Sequence, residues 1–282
     1  MIKVVLAGTP EFSVPIFEEV IKNFEVVAII SQPDKPANRG YKLIPTPTKI
    51  LAEKYNIKCY QPNKISEIYD ELVQLDFDFL LTVAFGQYIP EKILNLPKKA
   101  ALNIHGSLLP KYRGAAPIQH SLLNGDKKTG INLIYMVKEM DAGNILKSSE
   151  IEIVEDDTSD SLFDKLSILS AQNITKWLKE IYENNFNEIV QDISQVILAP
   201  KLTKEEAQID LSQNSDQVIN KIKAYSSNPG AYTFINNKRV KLFNATTKKI
   251  KNAIQLSCRD KNIYIYDYQY ESKKRVNLLE KV

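Results

Sequence analysis

The sequence predicts an α/β fold: a Rossmann-like open, mostly parallel sheet with helices on both faces, followed by a small C-terminal OB-like β-barrel. Three observations carry this expectation. Short β-rich runs alternate with helically spaced stretches over about the first hundred residues. Beyond residue 207 the pattern changes to short alternating strands separated by turn residues. The charge balance changes at the same place: residues 207–282 hold 14 Lys and Arg against 6 Asp and Glu, whereas residues 1–206 hold 23 against 28.

The elements follow in order. "IKVVLAG" (2–8) is a buried first strand ending in a Gly-Thr-Pro turn, and "EFSVPIFEEVIKNF" (11–24) has helical spacing. "EVVAII" (25–30) is the second strand, and the Pro- and Gly-studded "SQPDKPANRGYKLIP" (31–45) is a long loop that can hold no regular element. A helix over 47–56, a short strand near 57–60 and a helix over 65–75 lead to the strand "DFLLTVAF" (78–85). After Pro90 and a short helical turn, "AALNI" (100–104) is another apolar strand. The stretches 130–137 and 145–154 come close together and predict a hairpin-like addition to the sheet, and a long amphipathic helix spans 159–184. Residues 188–206, with Pro200, read as a partly extended linker. A helix near 214–225 then precedes the strands "AYTFI", "KRVKLFNA", "AIQLSC" and "NIYIYDYQY". The predicted organisation is a domain over 1–188, a linker over 189–206 and a barrel over 207–282.

Composition narrows the function. An apolar content of 44% and a charged content of 25% are ordinary for a soluble globular chain. The longest apolar runs fall far short of the ~20 residues of a membrane span, and the short apolar start "MIKVVLAGTPEF" lacks the core of a signal peptide. Cys59 and Cys258 lie far apart and suit a reducing cytoplasm. Two His and two Cys without ligand spacing argue against a metal site. G-x-G-x-x-G, the P-loop and G-x-S-x-G are all absent, which disfavours a dinucleotide site, a nucleoside triphosphate site and a serine hydrolase. The basic C-terminal quarter points to an anionic partner, most simply nucleic acid, against the plainer reading of a solvated Lys-rich surface.

The densest chemistry lies in "AALNIHGSLLPKYRGAAP" (100–117). Asn103 and His105, at i and i+2 near a strand end, point to one face. That carboxyl edge is where open α/β sheets place their crevices. The following loop, broken by two Pro and a Gly, has a constrained backbone. An acid/base group, a carboxamide donor and a shaped loop thus converge, against the plainer reading of a core histidine. A carboxylate to orient the imidazole is available in Asp141, in a turn with Gly143; Glu139 is a weaker competitor, and Asp141 by itself reads equally as an ordinary turn residue. His120, on a helix after the loop, is a packing or surface residue.

"AALNIHGSLLPKYRGAAPIQ" together with "TGINLIYMVKEMDAGNIL" resembles the signature of 10-formyltetrahydrofolate-dependent formyltransferases: an Asn-x-His pair, an S-L-L-P loop and a distant Asp. "AGTPEFSVP", "SQPDKPANRGYKL" and "PGAYTFINNKRVKLFNA" narrow the likeness to the branch that formylates initiator methionyl-tRNA. The resemblance covers nearly the whole chain and keeps motif order. It implies that Asn103, His105 and Asp141 are catalytic and that Ser107, Leu108, Leu109 and Pro110 hold the folate. It also implies that Arg39, with Lys35 and Lys42, meets the tRNA acceptor end, and that the C-terminal barrel contacts the tRNA. The implied protein is a cytoplasmic monomer, with 10-formyltetrahydrofolate as formyl donor and no metal. In that reading Asn103 and His105 donate to the formyl oxygen while Asp141 orients His105; which of the two accepts the amine proton stays open. The chain departs from the family pattern in Asp141-Ala142-Gly143-Asn144, in the residues before Pro229-Gly230, and in a shortened segment between Ala245 and Tyr264. The rival readings are a sister enzyme acting on a sugar nucleotide or glycinamide ribonucleotide, a formyltetrahydrofolate hydrolase, and a non-catalytic RNA-binding protein.

Overall fold

Runs of apolar residues with no polar alternation become the centre of the structure, because a strand covered on both faces has no side to give to water. The computed structural model describes residues 1–36 and 43–279. These fall into two compact units: Met1–Arg113, Gly130–Ser149 and Asp164–Val196; and Gly114–Thr129, Glu150–Phe163 and Ile197–Val282.

The first unit opens with β1 (Lys3–Gly8), α1 (Val14–Asn23) and β2 (Glu25–Ile30). The 31–45 loop is expected to hold no regular element, but Lys35–Pro36 (β3) and Leu43–Ile44 (β4) pair antiparallel at its base. There follow α2 (Pro47–Lys54), β5 (Cys59–Tyr60), α3 (Tyr69–Val73), β6 (Phe79–Val83), α4 (Glu91–Leu94), β7 (Ala100–His105) and β8 (Lys111–Arg113). The predicted helix over 65–75 is thus divided, with a 3₁₀ turn at Ile65–Ile68 ahead of α3. After α5 (Pro117–Leu123) come β9 (Lys128–Tyr135), β10 (Ile145–Glu152) and α6 (Ser159–Tyr182).

The strands form one sheet in the order β10-β9-β7-β6-β1-β2-β5. The five strands from β7 to β5 are parallel, and β9 joins β7 antiparallel. This is the expected mostly parallel sheet with a two-strand addition at one edge. One face packs Val5, Ala7, Ile30 and Leu80 against Ile65, Leu72 and Ile93. Alternation turns Phe79 to the other face, where its ring meets Tyr182 of α6 edge-on at 6.3 Å. Burying a side chain such as Phe17 or Phe79 completely contributes about 2–3 kcal/mol each.

The second unit contains α5 and continues with β11 (Ile197–Leu198), α7 (Ser215–Ala224), β12 (Ala231–Ile235), β13 (Lys238–Thr246), β14 (Ile254–Ser257), β15 (Asn262–Tyr270) and β16 (Val276–Asn277). Asn214 caps α7 reciprocally with Gln217. The strands make an antiparallel half-barrel in the order β12-β13-β15-β14, with β16 on β15. The register slips on either side of Asn244, and such bulges bend a sheet. No helix among the described residues is long and apolar enough to cross a membrane.

Candidate active site

The site grows from the carboxyl end of β7. Asn103 and His105 lie on one face of that strand, opposite Ile134 and Asn132 of β9. The Thr82 hydroxyl of β6 lies 2.8 Å from Asn103 Oδ1, as its donor. That contact turns the carbonyl side of the carboxamide inward. Among the described residues Asn103 Nδ2 has no acceptor, so its N–H groups are free to meet an oxygen from outside.

His105 is buried, with 5% of its side chain exposed. Its Nε2 lies 2.9 Å from the Tyr112 carbonyl oxygen. A carbonyl only accepts, so Nε2 is the donor and Nδ1 is the nitrogen left for chemistry. Nδ1 faces Asp141 Oδ2 at 3.6 Å, slightly beyond hydrogen-bond distance. The structure therefore brings together the three residues that sequence spacing left 36 or more positions apart at one end.

Asp141 sits between β9 and β10 with a φ of +53°, in the left-handed region an aspartate tolerates better than most residues. Two residues on, a Cβ on Gly143 would stand 1.9 Å from the Tyr135 carbonyl oxygen, so only glycine fits the turn. The Gln191 side chain holds the turn from below, donating to the carbonyls of Asp141 (2.8 Å) and Gly143 (2.7 Å).

The loop after β7 is fixed by its own polar atoms. Ser107 is fully buried and donates to the Lys111 carbonyl at 2.7 Å, and Leu109 N donates to Asn132 Oδ1 at 2.6 Å. Leu109 packs with Ile134 and Ile145, and its peptide to Pro110 is cis. Leu108 and Pro110 are the half-buried members of the predicted folate set, while Ser107 and Leu109 face inward. Sequence reasoning missed Thr82, Asn132 and Gln191. Each acts through a hydrogen bond across tens of residues, which leaves no local pattern.

Lys35 lies exposed on β3; Arg39 and Lys42 fall outside the described residues. The loop base is anchored by Asp34, which accepts from Lys49 Nζ (2.5 Å), Gln61 Nε2 (2.6 Å) and Thr46 N (3.3 Å). The bond from Lys49, then that from Gln61, holds the Asp34 carboxyl below its ordinary range. His120 is half-buried and bonds the Pro200 carbonyl at 3.0 Å, away from this chemistry. Among the described residues no group of three His, Cys, Asp or Glu side chains converges as a metal site would require.

The formyl transferase family profile matches residues 2–178, and the formyl transferase C-terminal domain profile matches residues 201–281. A methionyl-tRNA formyltransferase of Mycoplasmopsis pulmonis is 60% identical over 277 residues, 98% of this chain and 96% of its own length. A methionyl-tRNA formyltransferase of Staphylococcus aureus is 39% identical over 98% of this chain and 94% of its own. Among solved structures, the N-formyltransferase of Helicobacter canadensis in complex with folinic acid and dTDP-3-aminofucose superposes with a TM-score of 0.73 at 21% identity, covering 94% of this chain and 99% of that one. At that identity the likeness establishes the fold alone.

Proposed function

The chain belongs to the formyl transferase family, and we propose that it transfers the formyl group of 10-formyltetrahydrofolate to the α-amine of initiator methionyl-tRNA. The observation that carries this reading is the near-full-length likeness, through both domains, to methionyl-tRNA formyltransferases. The donor set fits a folate formyl group: a carboxamide with unclaimed N–H groups stands beside a loop whose half-buried members are Leu108 and Pro110.

In this mechanism Asn103 Nδ2 donates to the formyl oxygen as attack makes that oxygen negative. His105 contributes through Nδ1, because Tyr112 has claimed Nε2. Nδ1 is the ring nitrogen that faces Asp141 Oδ2, at 3.6 Å, and in this mechanism the attacking amine approaches it. His105 takes the amine proton at Nδ1, and Asp141 stabilises the imidazolium that forms. The proton then leaves through Nδ1 to the departing nitrogen, which keeps the transfer balanced.

The tRNA side of the proposal assigns residues 1–188 to transfer, 207–282 to tRNA contact and 189–206 to a linker whose first part, with Gln191, packs with the first unit. Arg39, Lys35 and Lys42 would meet the acceptor end. In the half-barrel, Arg239 stacks 3.9 Å above the Tyr232 ring, and exposed Phe234 meets Tyr232 edge-on at 5.9 Å. Aromatic and cationic groups on one hairpin face suit stacked bases and phosphates. The proposal is completed by a monomer in a reducing cytoplasm, which the free thiols Cys59 and Cys258 suit.

The test is a formyl-transfer assay with 10-formyltetrahydrofolate and initiator methionyl-tRNA, run beside a sugar-nucleotide amine. Transfer to the tRNA is expected. Transfer to the sugar nucleotide alone would overturn the choice of substrate.

A further inference from the structure

Residues 188–196 contain an inversion of the usual surface rule. Ile189, Val190 and Ile193 are exposed, at 60%, 76% and 82%, while the polar Gln191 between them is 5% exposed. A buried carboxamide is costly unless its hydrogen bonds are made. Here all four are. Gln191 Oε1 accepts from Arg113 Nε (2.9 Å) and Nη2 (2.7 Å), and Nε2 donates to the Asp141 (2.8 Å) and Gly143 (2.7 Å) carbonyls. The orientation of the amide is forced, since a guanidinium only donates and a carbonyl only accepts.

These bonds join the two loops that hold the candidate pair. Arg113 is the chain neighbour of Tyr112, whose carbonyl fixes His105 Nε2. The Asp141 backbone carries the carboxylate that faces His105 Nδ1. The segment itself is pinned by reciprocal backbone bonds between Ile145 and Ile189, 2.9 Å each way. A closed circuit results: His105 to Tyr112, Arg113, Gln191, Asp141 and back to His105.

We infer that Gln191 is a positioning residue, which with Arg113 sets the separation of His105 and Asp141. Two contacts to the Asp141 turn prevent it from rocking on Gly143, and the bidentate Arg113 contact fixes the far end of the brace. A carboxylate set out of line by about an ångström loses on the order of 10²-fold in rate, so the brace acts on turnover without touching substrate. The inference rests on the transferase reading for its kinetic consequence but not for its geometry.

The test uses Gln191→Met, which keeps volume and removes all four bonds, and Gln191→Glu, which keeps the Arg113 contact and sets a carboxylate against two carbonyls. Both are measured in the full chain by turnover, by KM for each substrate and by thermal melting. Each should lower kcat about 10- to 100-fold with KM values nearly unchanged. In an Asp141→Asn background Gln191→Met should change kcat less than about twofold, because the brace works through that carboxylate. An equal loss in both backgrounds, or a lowered melting temperature with full kcat, would overturn the inference. Should Gln191→Met not fold, Gln191→Glu answers the same questions. A crystal structure of either variant is independent of turnover. The Nδ1–Oδ2 separation should open by about an ångström; an unmoved Asp141 turn would sink the brace even where transfer to methionyl-tRNA is normal. Inactive wild-type protein would sink the transferase reading and leave this structural measurement standing.

Discussion

Asp34 and Asp141 each face a basic side chain, and they differ in how completely they do so. Asp34, at the base of the 31–45 loop, meets Lys49 at 2.5 Å and takes further hydrogen bonds from Gln61 and Thr46. Asp141 stands 3.6 Å from His105 Nδ1, at a distance neither group closes alone. Their burial is similar, with side-chain exposures of 16% and 13%. Exposure therefore does not separate the ion pair at the loop base from the pair we propose for proton transfer; distance does. Asp34 meets its lysine directly, as a closed pair, whereas His105 and Asp141, the open pair, stand 3.6 Å apart, each positioned by its own contact, His105 by the Tyr112 carbonyl and the Asp141 turn by Gln191.

The comparison breaks first at the open pair. His105→Ala and Asp141→Asn should each reduce kcat by about 10³- to 10⁴-fold, with melting temperatures close to wild type. Near-normal turnover in either variant would remove the pair from the chemistry. Asn103→Ala comes next. It should cost about 10²- to 10³-fold in kcat with little change in KM, since its donor strengthens only as the formyl oxygen gains charge. A loss confined to KM would make Asn103 a ground-state binding group instead.

The open pair was partly legible in the sequence. Asn103 and His105 share a face through period-2 alternation, and a strand end is a defined place, so two of the three candidate site residues follow from local rules. Asp141 is visible as a turn residue and as a candidate to orient His105, but local pattern reads it equally as an ordinary turn aspartate; it is the sheet that brings β7 and the β9–β10 turn together. Gln191 illustrates the opposite limit. It lies among exposed Ile and Val in a stretch that reads as a linker, and only the tertiary contacts of its amide show that it is buried. The half-barrel strands were recognisable from turns and alternation, whereas the slip at Asn244 depends on a side chain that reaches the Asp156 carbonyl 88 residues away. The pairing of β3 with β4 was hidden for a similar reason: Asp34 draws its bonds from Thr46, Lys49 and Gln61 beyond the loop.

Smaller effects belong to the tRNA side. Arg39→Ala should raise KM for methionyl-tRNA by about tenfold and leave the folate KM near its normal value, with the added salt dependence that phosphate contacts confer. Unchanged tRNA kinetics with a raised folate KM would contradict the role given to the loop. Arg239→Ala should weaken tRNA use by a smaller factor, since one stacked cation on an exposed face contributes about 0.5–1 kcal/mol.

The smallest effect tests the closed pair. Asp34 has its carboxyl held below the ordinary range, chiefly by Lys49. A group with a depressed folded-state pKa contributes stability at pH values above its unfolded pKa, and loses that contribution as pH falls through the folded value. The stem should thus be intact across neutral and mildly acidic pH and loosen only below the usual carboxylate range. Asp34→Asn removes the charge at every pH and leaves Lys49 without its partner. Because both side chains retain some exposure, screening keeps the cost small. The expected outcome is a rise of a few-fold in KM for methionyl-tRNA with kcat unchanged, measured at pH 7 beside wild type. A fall in kcat instead would mean that the loop base reaches the His105 chemistry, and the division between a closed pair that holds and an open pair that reacts would no longer stand.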